Sequence, residues 1–478
     1  MRLTVLTLAA LLSSGASLAV EKSTTLSADA LQTATSLRGQ ALQDDVAYEV
    51  VSGLSMEVGA RLAGSEADQR GRDWMVAKFK ALGFDKVWTE PVSFPRWVRR
   101  SESASLVAPY PHALAITALG YSAATPAGGL SGELVAFDSL DALNNADAAS
   151  VRGKIVYIGK PRMHASNDGS GYGTGSAIRT GGPSIASQKG AAAFVLRSVG
   201  SDSDRLAHTG LTRFAEGVEP IPAAAVSNPD ADLIDAMLKA GKPVTLKLML
   251  DVDMDGTYTG ANVIAEMTGR DKNSKEYFLT GGHLDSWDLG TGAIDDGAGV
   301  AIATAAAHLI GHLEQRPRRS IRVVAFANEE SGLYGGKAYA ERHREEISNA
   351  VLGTESDAGA DRVRKITASV KQSARAAVDS IAEVLKPLGI EYDAKAAGVG
   401  GSDLSAVHAV GMAGLSLHQD TTRYFQWHHT ANDTLDKVDP AQLRQNVAAY
   451  VVVAYLAAEA DGDFGSAPGA FANDAGEH

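Results

Sequence analysis

Apolar and polar residues change period along the chain, and each change marks an element. Between residues 29 and 60, Leu42, Val46, Val50 and Leu54 fall close to one helical face, with polar residues between them. Arg61-Leu62-Ala63-Gly64-Ser65 breaks that pattern. A second helix is predicted from about Glu66 to Leu82, with Trp74, Val76 and Phe79 as buried positions and Gly83 as its terminator. Val87–Val98 reads as one or two extended segments interrupted by Pro91 and Pro95. From about Gly129 the texture changes. Short extended runs (Gly132–Phe137, Lys154–Ile158, Ala192–Leu196, Val244–Leu250) alternate with small-residue loops, and helices are predicted only near Pro183–Lys189 and Asp230–Lys239. Residues 100–254 therefore read as an inserted, small, β-rich domain.

Strand–helix alternation returns at Asn262. Strands are predicted at Asn262–Met267, Tyr277–Thr280, Ile321–Ala327, Ala350–Gly353 and Ala413–Leu417. Helices are predicted over Gly297–Leu313, Gly335–Glu346, Ala374–Leu388 and Pro440–Glu459. Such alternation implies an α/β fold with a mostly parallel central sheet covered by helices on both faces. The expected organisation is a discontinuous catalytic domain (20–99 and 255–460), the insert, and a mobile Gly/Ala/acidic tail over 461–478.

Several conspicuous stretches reduce to ordinary structure. The Gly169–Gly175 run lacks the spacing of a dinucleotide fingerprint and no Lys-Ser/Thr follows it, so it reads as a surface loop. Asp251-Val252-Asp253-Met254-Asp255-Gly256 opens like a calcium loop, but Asn262 stands where a bidentate Glu is required. His164 and His208 read as surface or hydrogen-bonded histidines.

A different picture emerges at the strand ends. His283, Asp285, Asp295, Glu329, Glu330, Asp357 and His429 each follow an apolar run or sit in a Gly/Asp/Thr-rich loop. Parallel strands bring such ends to one edge, where open α/β sheets build their sites. Catalytic zinc without cysteine takes His nitrogens and Asp/Glu oxygens. Two ions about 3.5–4 Å apart need a ligand on each side and one group between them. His283 and Asp357 are assigned to one ion, Glu330 and His429 to the other, and Asp295 to both, with a water or hydroxide bridging the pair. Asp285 is placed to orient His283. Glu329 is left as the general base. Asp296 is assigned to capping the following helix or to supporting the ligands.

Composition narrows the setting. A chain of 478 residues with 45% apolar content can bury a sizeable core, and its net charge of −13 argues against nucleic acid or an anionic membrane as partner. Arg2, the apolar Leu3–Leu12 stretch and Ser17-Leu18-Ala19 follow the order of an export signal cleaved near Ala19. The apolar run is too short for a stable membrane anchor, so a periplasmic or secreted protein is expected. The chain has no cysteine, which excludes thiol nucleophiles, disulfides and Cys-ligated zinc.

The motifs together resemble the co-catalytic zinc exopeptidases, the family of zinc aminopeptidases and glutamate carboxypeptidases. The resemblance rests on His283-Leu284-Asp285, Gly292-Ala293-Ile294-Asp295, Asn328-Glu329-Glu330-Ser331-Gly332-Leu333, Glu355-Ser356-Asp357 and His429-Thr430-Ala431-Asn432-Asp433-Thr434. Arg61–Ser65, His208-Thr209-Gly210 and His428-His429-Thr430 point to its plasma glutamate carboxypeptidase subgroup. The resemblance implies the phosphorylase/hydrolase-like fold and the same ligand set, with His429 rather than His428 as ligand. It implies a protease-associated domain for the insert, a short-peptide substrate, and the option of a homodimer. Some relatives carry a tyrosine after the glycine that matches Gly411. Met412 stands there in this chain, and Tyr424 is the substitute candidate for holding the oxyanion. A glutaminyl-cyclase-like acyltransferase and a metal-free receptor-like relative are the alternatives. The complete ligand set argues against both.

Overall fold

The structure, a computed structural model, describes residues 22–474. The stretch expected to be an export signal and the last residues of the tail lie outside that range. Among the described residues, fourteen strands join one sheet. In chain order they are β1 (Lys86–Ala108), β2 (His112–Leu114), β3 (Ile116–Ala118), β4 (Leu130–Phe137), β5 (Ile155–Ile158), β6 (Ala193–Arg197), β7 (Ala223–Val226) and β8 (Thr245–Met267). β9 (Tyr277–His283), β10 (Ser320–Phe326), β11 (Ala350–Glu355), β12 (Val363–Ser369), β13 (Glu391–Tyr392) and β14 (Gly414–Gln419) follow.

The sheet is mixed, with parallel pairing where the predicted site lies. β9 is parallel to both β10 and β11, and β11 is parallel to β14. β8 and β12 run antiparallel to their neighbours β10 and β14. Residues 130–226 add a second parallel group, β4-β5-β6-β7. It joins the first through β8, whose early residues pair with β4 and whose late residues pair with β10.

Pro91 and Pro95 do not split β1, contrary to the sequence reading. β1 runs through both and pairs with β8 from Lys86 to Ala108, with a register shift just after Pro95. At Pro91 and Pro95 the other edge of β1 has no partner strand among the described residues, so no ladder donor is lost on that side.

Every residue of β9 is buried, because helices close on both faces of the sheet. The helix Ala298–Gly311 covers one face. Its alanines and glycines let it lie close to the strands, and twelve of its residues are buried. The stretch Ala293–Gly311 is apolar enough to cross a membrane, but 89% of it is buried in the protein core. The helix Pro440–Glu459, capped by Asp439, packs beside it over the same core. Gly282 in β9 shows how tight the packing is. A Cβ there would come within 2.3 Å of Asp296 Oδ2 and 2.7 Å of the Val300 amide nitrogen. Glycine is needed for this close approach of strand end to helix start.

Two elements of the catalytic sheet escape the sequence pattern. β12 carries Arg364 and Lys365 and reads as polar, and β13 is only two residues long. The predicted Pro183–Lys189 helix is longer, Tyr172–Gln188, with Pro183 inside it.

Candidate metal centre

The strand ends bring the predicted residues together. His283 closes β9, the Glu329-Glu330 pair follows β10, and Asp357 follows β11. Asp295 lies in the turn before the helix Ala298–Gly311, and His429 just beyond the short helix Tyr424–Trp427. Asp295 is the middle of the group. Its Oδ1 lies 3.1 Å from His283 Nε2 and its Oδ2 lies 3.3 Å from His429 Nε2. Asp357 Oδ1 is 3.5 Å from His283 Nε2, and Glu330 Oε2 is 2.9 Å from His429 Nε2. His283 with Asp357, and His429 with Glu330, thus flank opposite oxygens of one carboxylate.

The surrounding backbone fixes both imidazoles. His283 Nδ1 lies 2.9 Å from the Asp285 carbonyl oxygen, and His429 Nδ1 lies 3.1 Å from that of Thr209. A carbonyl only accepts, so each Nδ1 carries a proton and each Nε2 is turned toward Asp295. Asp285 therefore contacts His283 most closely through its main chain. Its carboxylate, 3.7 Å from the ring, instead accepts the amides of Glu329 (3.0 Å) and Glu330 (3.4 Å) and holds that turn in place. Asp296 accepts the amides of His283 and Gly299, each at 3.0 Å, and so ties the strand end to the first turn of the helix.

Arg61 explains why its motif accompanies the site. Its side chain is fully buried and donates to the carbonyls of Leu284 (2.7 Å), Thr291 (2.7 Å) and Gly292 (2.8 Å). The loop between His283 and Asp295 is therefore pinned from below. Asp433 pins it from the other side by accepting the Ile294 amide at 2.7 Å. Burial, with Asp295 nearby, pushes the Asp433 carboxyl up to about 7.

The carboxylates are crowded and dry. Burial raises Asp295, Glu329 and Glu330 above the usual carboxylate range, and neighbouring acids add to the rise while His283 opposes it. Asp403, at the start of the helix Ser402–Ala409, is raised to about 8, chiefly by burial. Asp295 Oδ2 and Glu330 Oε1 are buried without a hydrogen-bond donor. Unpaired buried anions are costly, and a cation coordinated by them removes that cost. Three overlapping groups of metal-binding geometry share these residues: His283 with Asp295 and Glu330, His283 with Asp296 and Asp357, and Asp295 with His428 and His429. Imidazole nitrogen with carboxylate oxygen is a donor set suited to zinc.

His428 is part of the site, beyond what the sequence reading gave it. Its ring stacks on His429 with centroids 3.5 Å apart, and its Nε2 lies 3.4 Å from Asp295 Oδ2. Of the two, among the described residues, only His429 lies close to Glu330, its Nε2 2.9 Å from Oε2. Burial drives both imidazoles well below the usual histidine range, so both are neutral. Met412 is buried in an apolar cluster with Leu404 and Val407, so it offers no polar group. Tyr424 lines the cleft above the site.

Residues 100–254 contribute directly. His208 is buried, its Nε2 lies 2.6 Å from Asp202 Oδ2 and its Nδ1 lies 2.7 Å from the His428 carbonyl. The Thr209 amide donates to the His429 carbonyl at 3.0 Å. The Gly169–Gly175 run is not a plain surface loop. Gly171, at φ +94°, starts the helix Tyr172–Gln188, and Tyr172 stacks on Phe425 at 4.6 Å. Gly169 and Tyr172 line the same open cleft, of about 970 Å³, as Asp295, Glu329, Glu330, Asp357 and His429. Gly400, Gly401 and Ser402 line its opposite side, and the Ser402 hydroxyl donates to Asp357.

An α/β sheet with this histidine–carboxylate cluster beside the carboxyl ends of its parallel strands has the make-up of a metal-dependent hydrolase. The family model for Peptidase family M28 matches residues 262–454. The chain is 35% identical to carboxypeptidase Q of Homo sapiens over 412 residues, which cover 86% of this chain and 85% of that protein. It is 34% identical to carboxypeptidase Q of Bos taurus, with the same coverage. The chain belongs to peptidase family M28. Among solved structures, a Peptidase M28 precursor from Shewanella amazonensis is 47% identical and superposes with a TM-score of 0.89, covering 92% of this chain and 99% of that one. The zinc aminopeptidase of Bacillus subtilis, 18% identical, shares the fold with a TM-score of 0.62 over 88% of this chain and 98% of that one.

Proposed function

We propose that this chain is an exported di-zinc exopeptidase that hydrolyses dipeptides or short peptides. The observation that carries the proposal is the position of Asp295, with one oxygen toward His283 and Asp357 and the other toward His429 and Glu330. In this reading His283 and Asp357 hold one ion, Glu330 and His429 the other, and Asp295 both. When bound, the ions polarise the scissile carbonyl and ease deprotonation of the attacking water. Glu329 takes that proton on its carboxylate while the water oxygen bonds to the carbonyl carbon. It then gives the proton to the peptide nitrogen as the carbon–nitrogen bond breaks. The size of the cleft falls within the range of small-ligand pockets, about 300–1,000 Å³, which supports a short substrate. Carboxypeptidase Q and zinc aminopeptidases as relatives support the same reaction class. The export signal of residues 1–19 supports a site of action outside the cytoplasm.

Zinc content and a panel of free, N-blocked and C-blocked dipeptides test this reading. About two zinc ions per chain and cleavage of free dipeptides are expected. A purified protein that takes up no zinc and cleaves no peptide overturns it. The same reading gives residues 100–254 a part in metal binding. Asp202→Ala releases His208 from the His428 carbonyl, and we expect zinc affinity to fall about 10- to 100-fold in a chelator competition, the usual cost of losing a supporting contact. Unchanged affinity means the Asp202–His208 pair does not support His429.

A further inference from the structure

Arg179, on the helix Tyr172–Gln188, is a buried cation that the chemistry above does not use. Among the described residues no carboxylate lies within ion-pair distance of it. Its guanidinium donates to neutral oxygens: the Thr209 carbonyl (3.4 Å), the Tyr172 hydroxyl (3.2 Å) and the Ser176 hydroxyl (3.3 Å). Its Nε is buried without an acceptor. Arg197 and Arg319, equally buried, pair instead with Asp232, Asp235 and Glu276. Burying a cation without a counter-ion is costly, so the position calls for a local reason. Arg61 offers the parallel, being buried, bonded to carbonyls, and the pin of the loop between His283 and Asp295.

Thr209 is the point that Arg179 reaches. Its amide donates to the His429 carbonyl (3.0 Å), and its carbonyl accepts His429 Nδ1 (3.1 Å). Its hydroxyl donates to the Ala118 carbonyl (2.8 Å) and accepts from Arg99 (3.1 Å). His429 needs this hold. Its backbone lies in the left-handed region, φ +63°, which a residue with a side chain keeps only where its surroundings impose it.

The weak link is the peptide between Thr209 and Gly210. Gly210 stands at φ +140°, and glycine reaches both signs of φ about equally well. That peptide plane can turn over at little cost. Turning it takes the Thr209 carbonyl away from His429 Nδ1 and leaves the Thr209 amide where it is. Arg179 blocks the turn. A Cβ on Gly210 would stand 2.3 Å from Cζ of Arg179 and 2.5 Å from its Nε and Nη1, so the guanidinium lies against the bare Cα. Nη1 also donates to the carbonyl whose direction is at stake. The glycine makes room for the guanidinium, and the guanidinium supplies the restraint that the glycine lacks.

We propose that Arg179 is a positioning residue that locks the Thr209–Gly210 peptide, so that the Thr209 carbonyl fixes the Nδ1–H tautomer and ring orientation of His429 and thereby sets how tightly the Glu330–His429 half of the site holds its ion. The inference rests on the di-zinc reading above and adds the residue through which the insert controls one half of the site and not the other.

The test uses the zinc-loaded enzyme and a chelator competition that resolves the release of each zinc. Arg179→Met should weaken one zinc about 10- to 100-fold and leave the other within about twofold. Arg179→Lys keeps the charge and a donor for the carbonyl, and should fall between. With cobalt(II) in place of zinc, the visible spectrum should change in Arg179→Met and return toward that of the wild type in Arg179→Lys. An arginine that only packs the insert onto the catalytic domain would lower the melting temperature and weaken both ions alike, or neither; either pattern overturns the proposal. Should Arg179→Met fail to fold, Arg179→Lys carries the same comparison: one ion weakened sustains the proposal, and both or neither overturns it. If the wild type takes up no zinc, the di-zinc reading fails separately. Proton–nitrogen spectra of the histidine side chains in the metal-free protein then decide the role of Arg179. A single Nδ1–H tautomer at His429 that becomes mixed in Arg179→Met sustains it, and an unchanged tautomer overturns it.

Discussion

Glu329→Gln is expected to keep its zinc and lose about 10²- to 10⁴-fold in kcat, the usual contribution of a positioned general base. The reason lies in how this side chain is held. The Asp285 carboxylate anchors the backbone amides of both Glu329 and Glu330, so the turn stays in place when one side-chain oxygen becomes an amide. Glu330 keeps its contact with His429, and the proposed ligand set is untouched. What the amide cannot do is accept a proton. Steady-state kinetics beside a zinc determination separate the two outcomes. A variant with full zinc and wild-type kcat removes Glu329 from the proton transfer, and one that has lost its zinc makes Glu329 a ligand rather than a base.

Asp295→Ala is expected to lose metal and hydrolysis together. Asp295 turns one oxygen toward each half of the site, 3.1 Å from His283 and 3.3 Å from His429. Removing it leaves the histidine–carboxylate pairs on either side with nothing between them. Loss of a merely supporting contact costs metal affinity about 10- to 100-fold, so loss of the shared carboxylate should cost at least that for both ions. The zinc content of the purified variant decides the point. Retention of about two ions per chain would mean that another group joins them. His428, 3.4 Å from Asp295 and stacked on His429, is the first residue to examine in that case.

Much of the catalytic half was readable because its chemistry sits where apolar runs stop. β9, β10 and β11 are largely buried, so each appears in the sequence as a mainly apolar stretch, broken in β10 by Arg322, with polar residues at its end. His283, Glu329, Glu330 and Asp357 were therefore visible as candidates before any geometry. The elements that were missed or misjudged lack that signature. β12 lies near the margin of the sheet and carries Arg364 and Lys365. β1 contains two prolines that an edge accepts and a central strand would not. The helix Ser402–Ala409 follows a glycine loop and has only a short apolar face. Tyr172–Gln188 begins in glycines and contains Pro183, features that read as loop.

By itself, the sequence determined the α/β class of the catalytic part, the order of its strands and helices, and the set of acids and histidines that end them. These follow from local periodicity and from the rule that parallel strands present their carboxyl ends on one edge. Only the tertiary structure decided what each of those groups touches. It turned the Asp285 carboxylate toward the Glu329-Glu330 amides while its carbonyl took His283. It brought Thr209 and the Asp202–His208 pair from a distant stretch of chain onto His428 and His429. Contacts between residues some two hundred positions apart leave no period in a single sequence, because they depend on how two separately patterned segments pack together.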